Sequence, residues 1–169
     1  MCLRVKGKPV VRYNKRERVF YKVLRIGEVL HISDDPSVRS WKVELCSPYF
    51  GTKTELGVEN VIPDSVFTCA EDITYKPPYE VFKYNVDGTR MTRTGTGFYS
   101  VGYGCFHLFK KKEDAELEAF RLNEDTKFWG GRHEYKVYKA IVPVGTAYVN
   151  GKYSEANCVG VKKVRYEEI

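Results

Sequence analysis

A chain of 169 residues is the length of one ordinary domain, and a hydrophobic share of 43% is enough to build a core without staples or metals. Five widely spaced cysteines with no CxxC pair argue against a disulfide framework and a structural zinc site, and no apolar run approaches the roughly 20 residues needed to span a bilayer. The net charge of +6 is uneven: residues 1–25 carry nine basic side chains against Glu17 alone, a local +8, while the rest of the chain is −2.

Residues 1–14 are basic and interrupted by Gly7 and Pro9, which reads as a loosely attached arm. Arg18 to Arg25 has the β-branched and aromatic content of a strand. Gly27 is expected to break it, with Glu28 to Ile32 pairing back, and Asp34-Asp35-Pro36 marks a turn. Ser40 to Cys46 alternates apolar and charged residues as a half-buried strand does. Ser47 to Pro63 is a long connection that holds Tyr49, and connections of this length are often functional or contain a short element.

Glu80 to Val86 and Thr89 to Thr94 flank Asp87-Gly88, the composition of a two-residue hairpin turn. By the same logic Asn150-Gly151 is expected to turn the chain between Ala147–Val149 and Lys152-Tyr153. Cys105 to Phe109 reads as a short buried strand, and residues 111–123 as a helix on propensity. Tyr135 to Val142 is a strand that Pro143 ends, and Val159 to Tyr166 makes the last one. The expected fold is α+β: a mostly antiparallel, strand-rich single domain with one main helix packed on the sheet.

The chemical motifs are informative mainly by what is missing. There is no P-loop, no G-x-S-x-G elbow and no H-E-x-x-H helix. The glycines from Gly95 to Gly104 are not followed at once by a helix whose N-terminus could meet a pyrophosphate. His31, His107 and His133 lack metal spacing, so no metal or cofactor is expected. Cys105 and His107 share one face of a strand, an arrangement that also describes a buried thiol beside a structural histidine. His31-Ile-Ser33 is half of a two-histidine phosphodiesterase pattern, and no second half exists. The basic segment, by contrast, interleaves Arg12, Lys15, Arg16, Arg18 and Lys22 with Tyr13, Phe20 and Tyr21. Cations could pair with phosphates there, and aromatic faces could stack on exposed bases.

Three stretches carry a family resemblance: Ser47-Pro-Tyr-Phe-Gly-Thr52, Gly104-Cys-Phe-His-Leu-Phe109 with the helix start up to Asp114-Ala115, and the segment Val137 to Gly151 with Pro143-Val-Gly-Thr146. In these the chain resembles small uncharacterised accessory proteins of bacteriophages and of the gut bacteria that host them. The resemblance implies a setting, not a reaction: a phage or mobile-element accessory, such as a countermeasure to a host defence, working by binding a host protein or a nucleotide signal. A more distant likeness to ADP-ribosyltransferases rests on a tyrosine-containing strand near the start and the Pro-x-Gly-Thr segment before the final strands, and the terminal Glu-x-Glu of that group is absent because Glu167 and Glu168 are adjacent.

The sequence reading is therefore a non-catalytic binding protein of the cytoplasm, of the host cytoplasm if phage-encoded. Its positive segment would face an anionic partner: a nucleotide, a nucleic acid or an acidic surface of a host protein, and no membrane. Arg12, Lys15, Arg16, Arg18 and Lys22 are the expected contacts, with Tyr49 and His107 secondary. The alternative is a small phosphodiesterase-like or ADP-ribosyltransferase-like enzyme acting on nucleotides or nucleic acid, with His31 or His107 as its acid-base group.

Overall fold

The two richest strand-forming stretches of the chain, beginning at Arg18 and ending at Val142, pair with each other over nine residues, from Arg18 opposite Val142 to Ile26 opposite Glu134. The computed structural model describes residues 3–7, 9–32, 39–48, 53–62, 73–76, 79–84, 90–95, 97–101, 105–131 and 133–169. In chain order the strands are β1 (Leu3–Val5), β2 (Arg12–Tyr13), β3 (Arg18–Ile32), β4 (Arg39–Cys46), β5 (Glu59–Val61), β6 (Ile73–Lys76), β7 (Tyr79–Tyr84), β8 (Arg90–Gly95), β9 (Phe98–Val101) and β10 (Phe106–Phe109). Helix α1 (Lys112–Phe128) follows, then β11 (Glu134–Val142), β12 (Ala147–Tyr153), β13 (Ala156–Val161) and β14 (Lys163–Glu167).

Among the described residues, twelve strands form one sheet in the order β5-β14-β11-β3-β10-β13-β12-β1-β9-β6, with β2 added to β12 and β4 to β3. β7 and β8 form a separate pair. The ladders between strands are antiparallel, and the architecture is α+β, as the sequence predicts.

This sheet curls. Tyr166 on β14 and Phe106 on β10 are separated by β11 and β3, so a flat sheet would hold them roughly 14 Å apart. Their rings instead meet edge to face at 6.3 Å. The concave side encloses one core of Phe20, Leu24, Phe106, Leu108, Tyr138, Val159, Val161, Val164 and Tyr166. The opposite side carries a second core, where Leu3, Val23, Phe109, Val149 and Cys158 pack with Ala115 and Ala119 of α1. Alternation along single strands feeds both cores: Phe20 and Leu24 go to one, Val23 to the other. Leu3 is fully buried, which at about 2 kcal/mol for a leucine ties the start of the chain to the sheet. The segment expected as a loose arm thus contributes two strands.

Helix α1 runs one turn beyond the expected 111–123. Its surface is laced by ion pairs from Lys112 to Glu116, Arg121 to both Glu118 and Asp125, and Lys127 to Glu124. It ends where Gly130 adopts φ +67, with Gly130 N–H donating to the Lys127 carbonyl and Gly131 N–H to that of Thr126. Asn123 then clamps the helix to β11: its side-chain amide donates to the Tyr135 carbonyl and accepts from the Tyr135 N–H, both at 2.9 Å. Among the described residues, no helix is long and apolar enough to cross a membrane.

Several expected turns are strands. Gly27 lies inside β3, where its missing side chain makes room for the His133 imidazole; a Cβ there would stand 2.7 Å from Nδ1. Asn150-Gly151 is not a hairpin turn but the middle of β12, because β1 lies across Gly151 so closely that a Cβ would meet Leu3 Cβ at 2.9 Å. The chain reverses one step later, at Ser154-Glu155, where Ser154 takes φ 53 and Tyr153 faces Ala156. The expected last strand is two: Val161 still pairs with Phe106 and Tyr148, while Lys163 already pairs with Val61, and Lys162 makes the corner. The β7–β8 hairpin forms, but Tyr84 faces Arg90, where a two-residue turn at Asp87-Gly88 would set it opposite Met91. Asp34-Asp35-Pro36, Tyr49, Asp87-Gly88 and Gly102 to Gly104 lie outside the described residues.

Tyr166 packs at the centre of the concave core with no exposed surface, and its hydroxyl has no hydrogen-bond partner among the described residues. Burial raises its pKa well above the ordinary tyrosine value. A desolvated, unsatisfied hydroxyl destabilises a core, so Tyr166→Phe should raise unfolding stability by about 1 kcal/mol in a urea titration. A loss of similar size would mean the hydroxyl is bonded in solution.

A candidate anion-binding site

The basic residues of the amino-terminal segment are positioned by a turn elsewhere in the chain. Pro143 to Thr146 joins β11 to β12, with Thr146 N–H donating to the Pro143 carbonyl at 3.3 Å and Gly145 at φ +78. A positive-φ glycine in the third position is the mark of a type II turn, while Pro143 ahead of it ends β11. Asn14 is buried against this turn and exchanges two backbone hydrogen bonds with it, donating to the Thr146 carbonyl at 3.0 Å and accepting from Gly145 N–H at 2.8 Å. β2 is thereby held on the edge of β12, with Tyr13 opposite Ala147 and Arg12 opposite Tyr148.

Pinned at Asn14, the link into β3 carries Lys15 and Arg16 outward, and Arg18 starts β3 beside them. Arg12, Tyr13, Lys15, Arg16, Arg18 and Tyr148 line a concavity of about 570 Å³. The Arg18 guanidinium lies over the Tyr148 ring, 5.6 Å from its centroid, a cation–π contact that holds the side chain in place. No carboxylate belongs to the lining, and none of the four cations forms an ion pair among the described residues. Unneutralised like charges gathered in a concave surface raise the local potential and attract anions. Tyr13, 59% exposed, adds an open aromatic face.

Four of the five basic residues singled out in the sequence therefore come together, and Lys22 stands apart. It is buried between the strands, where β10 meets β3 only through Phe109 opposite Tyr21. Lys22 Nζ donates to the His107 carbonyl at 3.0 Å. Desolvation drives its pKa down to about 8, partly offset by the neighbouring Cys105 and Cys158 thiols. Cys158 is affected oppositely, its thiol pushed up to about 12 by burial.

His107 is likewise buried, facing Gly160 across the β10–β13 ladder, and lies outside the concavity. Cys105 is buried next to it, its Sγ filling the space over Gly160. His31 pairs through its backbone with Ser40. Phe20 and Tyr21, the aromatics adjacent to the basic run, pack into the two cores on either side of the sheet. The aromatic faces at the concavity belong instead to Tyr13 and Tyr148, and only the long-range pairing of β2 with β12 brings Tyr148 there. No group of three metal-ligating side chains occurs among the described residues.

No family model, curated protein or solved structure matches this chain. Its function has to be argued from the chemistry of the concavity itself.

The buried Lys22 makes stability depend on pH. Between pH 8 and 10.5 the unfolded chain keeps a proton that the folded protein has released, so stability rises with pH through that window and the gain is lost as pH falls back to 8. The full span corresponds to about 3 kcal/mol. Relative to Lys22→Met, which has no such proton, the wild-type chain should gain about that much between neutral and alkaline pH, measured by urea unfolding of both. Parallel pH profiles would show that Lys22 titrates normally.

Proposed function

We propose that the protein is a non-catalytic binding module for a phosphate-bearing ligand, a nucleotide or nucleic acid, held at the concavity formed by β2, the link into β3 and the start of β12. The single observation that supports this is the convergence of Arg12, Lys15, Arg16 and Arg18, free of carboxylate partners among the described residues, around Tyr13 and Tyr148. Guanidinium groups bind phosphate oxygens through paired, charge-assisted hydrogen bonds, stronger than neutral ones. The exposed Tyr13 face favours a ligand with a planar base over an acidic protein surface, because carboxylates have no use for an exposed ring. A setting in a phage or mobile element, and a role against host defence, are part of the proposal and rest on the three sequence stretches alone.

Charge reversal is the direct test. Arg16→Glu with Arg18→Glu should weaken binding of a fluorescein-labelled thymidine oligonucleotide or of ATP by about 3 kcal/mol at low salt, while the melting temperature stays close to wild type, since Arg16 is exposed and Arg18 lies at the strand start. Wild-type binding should itself fall steeply as salt rises from ~50 to ~200 mM. Unchanged affinity in the double variant, read by fluorescence anisotropy, would remove the concavity as the site.

A further inference from the structure

A second basic concavity lies along the same strand. Arg4, Lys6, Lys110 and Lys152, with Asn150 and Asn157, line a space of about 430 Å³. Glu155 is the carboxylate in this lining, 4.0 Å from Lys152 and almost wholly exposed.

The ladder registers put the two concavities on one face. Directly opposed residues in an antiparallel pair share a face, and so do residues two apart on a strand. Tyr148, Asn150 and Lys152 are therefore on the same side of β12, and Arg12, opposite Tyr148, joins them. Arg4 and Asn157, both opposite Lys152, do so too. From Tyr148 to Lys152 the strand advances roughly 13 Å.

Lys110 joins the two. It lines the second concavity, and its backbone N–H donates to the Asn157 carbonyl at 3.0 Å. Its ammonium also feels the first: the Lys110 pKa is lowered chiefly by desolvation and then by the charge of Arg18, with Arg12 contributing and Cys158 opposing. Such mutual repulsion among Arg12, Arg18 and Lys110 is relieved by an anion that touches all three.

We propose that the ligand is single-stranded nucleic acid, laid along β12 from the Arg12–Arg18 concavity, past Lys110, to Lys152. This rests on the anion-binding reading above and narrows it. A mononucleotide fills one concavity, whereas the ~13 Å between Tyr148 and Lys152 matches about four stacked nucleotides at ~3.4 Å each. A single strand, unlike a duplex, leaves base faces free for Tyr13, the exposed ring of the first concavity. The track is sequence-tolerant, because backbone charge and stacking supply the contacts and no helix is offered to a groove.

Fluorescence anisotropy with the full chain tests this. The probes are ATP and thymidine strands of about four, eight and twelve nucleotides, together with a duplex and polyglutamate as competitors. Affinity should rise by about tenfold or more from ATP to the strand of about four nucleotides, which fills the track, and change little from there to eight and twelve. Lys110→Ala with Lys152→Ala should lower affinity for that strand by about tenfold and flatten the log–log salt slope by about 1.4, the loss of two phosphate contacts. Lys152→Ala alone, which lies outside the first concavity, should leave ATP binding within about twofold of wild type. Equal affinity for ATP and the strands, an unaffected salt slope, or stronger competition by duplex or polyglutamate overturns the track while leaving the first concavity an anion site. Failure of ATP and every strand to bind at low salt overturns both readings.

Discussion

Gly151 leaves no room for a side chain, since a Cβ would stand 2.9 Å from Leu3 Cβ and 3.1 Å from the Arg4 carbonyl oxygen. That close approach lets β1 lie on the edge of β12 that takes β2 a few residues earlier. One strand edge thus holds two separate pieces of the amino-terminal segment in line, while its other edge pairs with β13 over six residues. Arg4 and Arg12 share a face because their backbones are sheet partners of a common strand, and the contact of Asn14 with the Pro143–Thr146 turn brings Lys15, Arg16 and Arg18 beside Arg12. Their repulsion opposes the arrangement, and the buried Leu3 together with the ladder hydrogen bonds outweighs it.

The distribution of charge over the surface follows. Helix α1 neutralises itself: Glu116, Glu118, Glu124 and Asp125 each have a cation on the same helix. Exposed pairs of this kind add little stability, but they consume carboxylates that could otherwise reach the sheet. Arg12, Lys15, Arg16 and Arg18, by contrast, form no ion pair among the described residues. Lys22, four residues along β3 from Arg18, is instead taken into the core, where its ammonium donates to the His107 carbonyl at 3.0 Å. Position in the sheet, not sequence proximity, separates a solvent-facing cation from a desolvated one.

Curling of the sheet gives the concavities their setting. Phe106 and Tyr166 can meet only if four strands bend around a shared core, and Tyr148 belongs to that same core while one side of its ring meets Arg18. The first concavity is therefore anchored on buried structure at Tyr148 and Asn14, with exposed cationic side chains above it.

Local patterns in the sequence determined the α+β class, the helix core, the strand from Tyr135 to Val142 with the turn at Pro143, and the concentration of cations before residue 26. Each depends on propensity or alternation within a few residues, and in these segments the tertiary context agrees with the local preference. Only the tertiary structure decided that Gly27 and Asn150-Gly151 are extended, because a glycine serves a turn or a close neighbour equally well and the neighbours, His133 and β1, come from distant parts of the chain. The same holds for Lys22, buried by its strand partners, and for Tyr148, placed beside Arg12 by a pairing across 136 positions of sequence. Long-range strand pairing selects among local options that are close in energy, so it settles which cations share a surface.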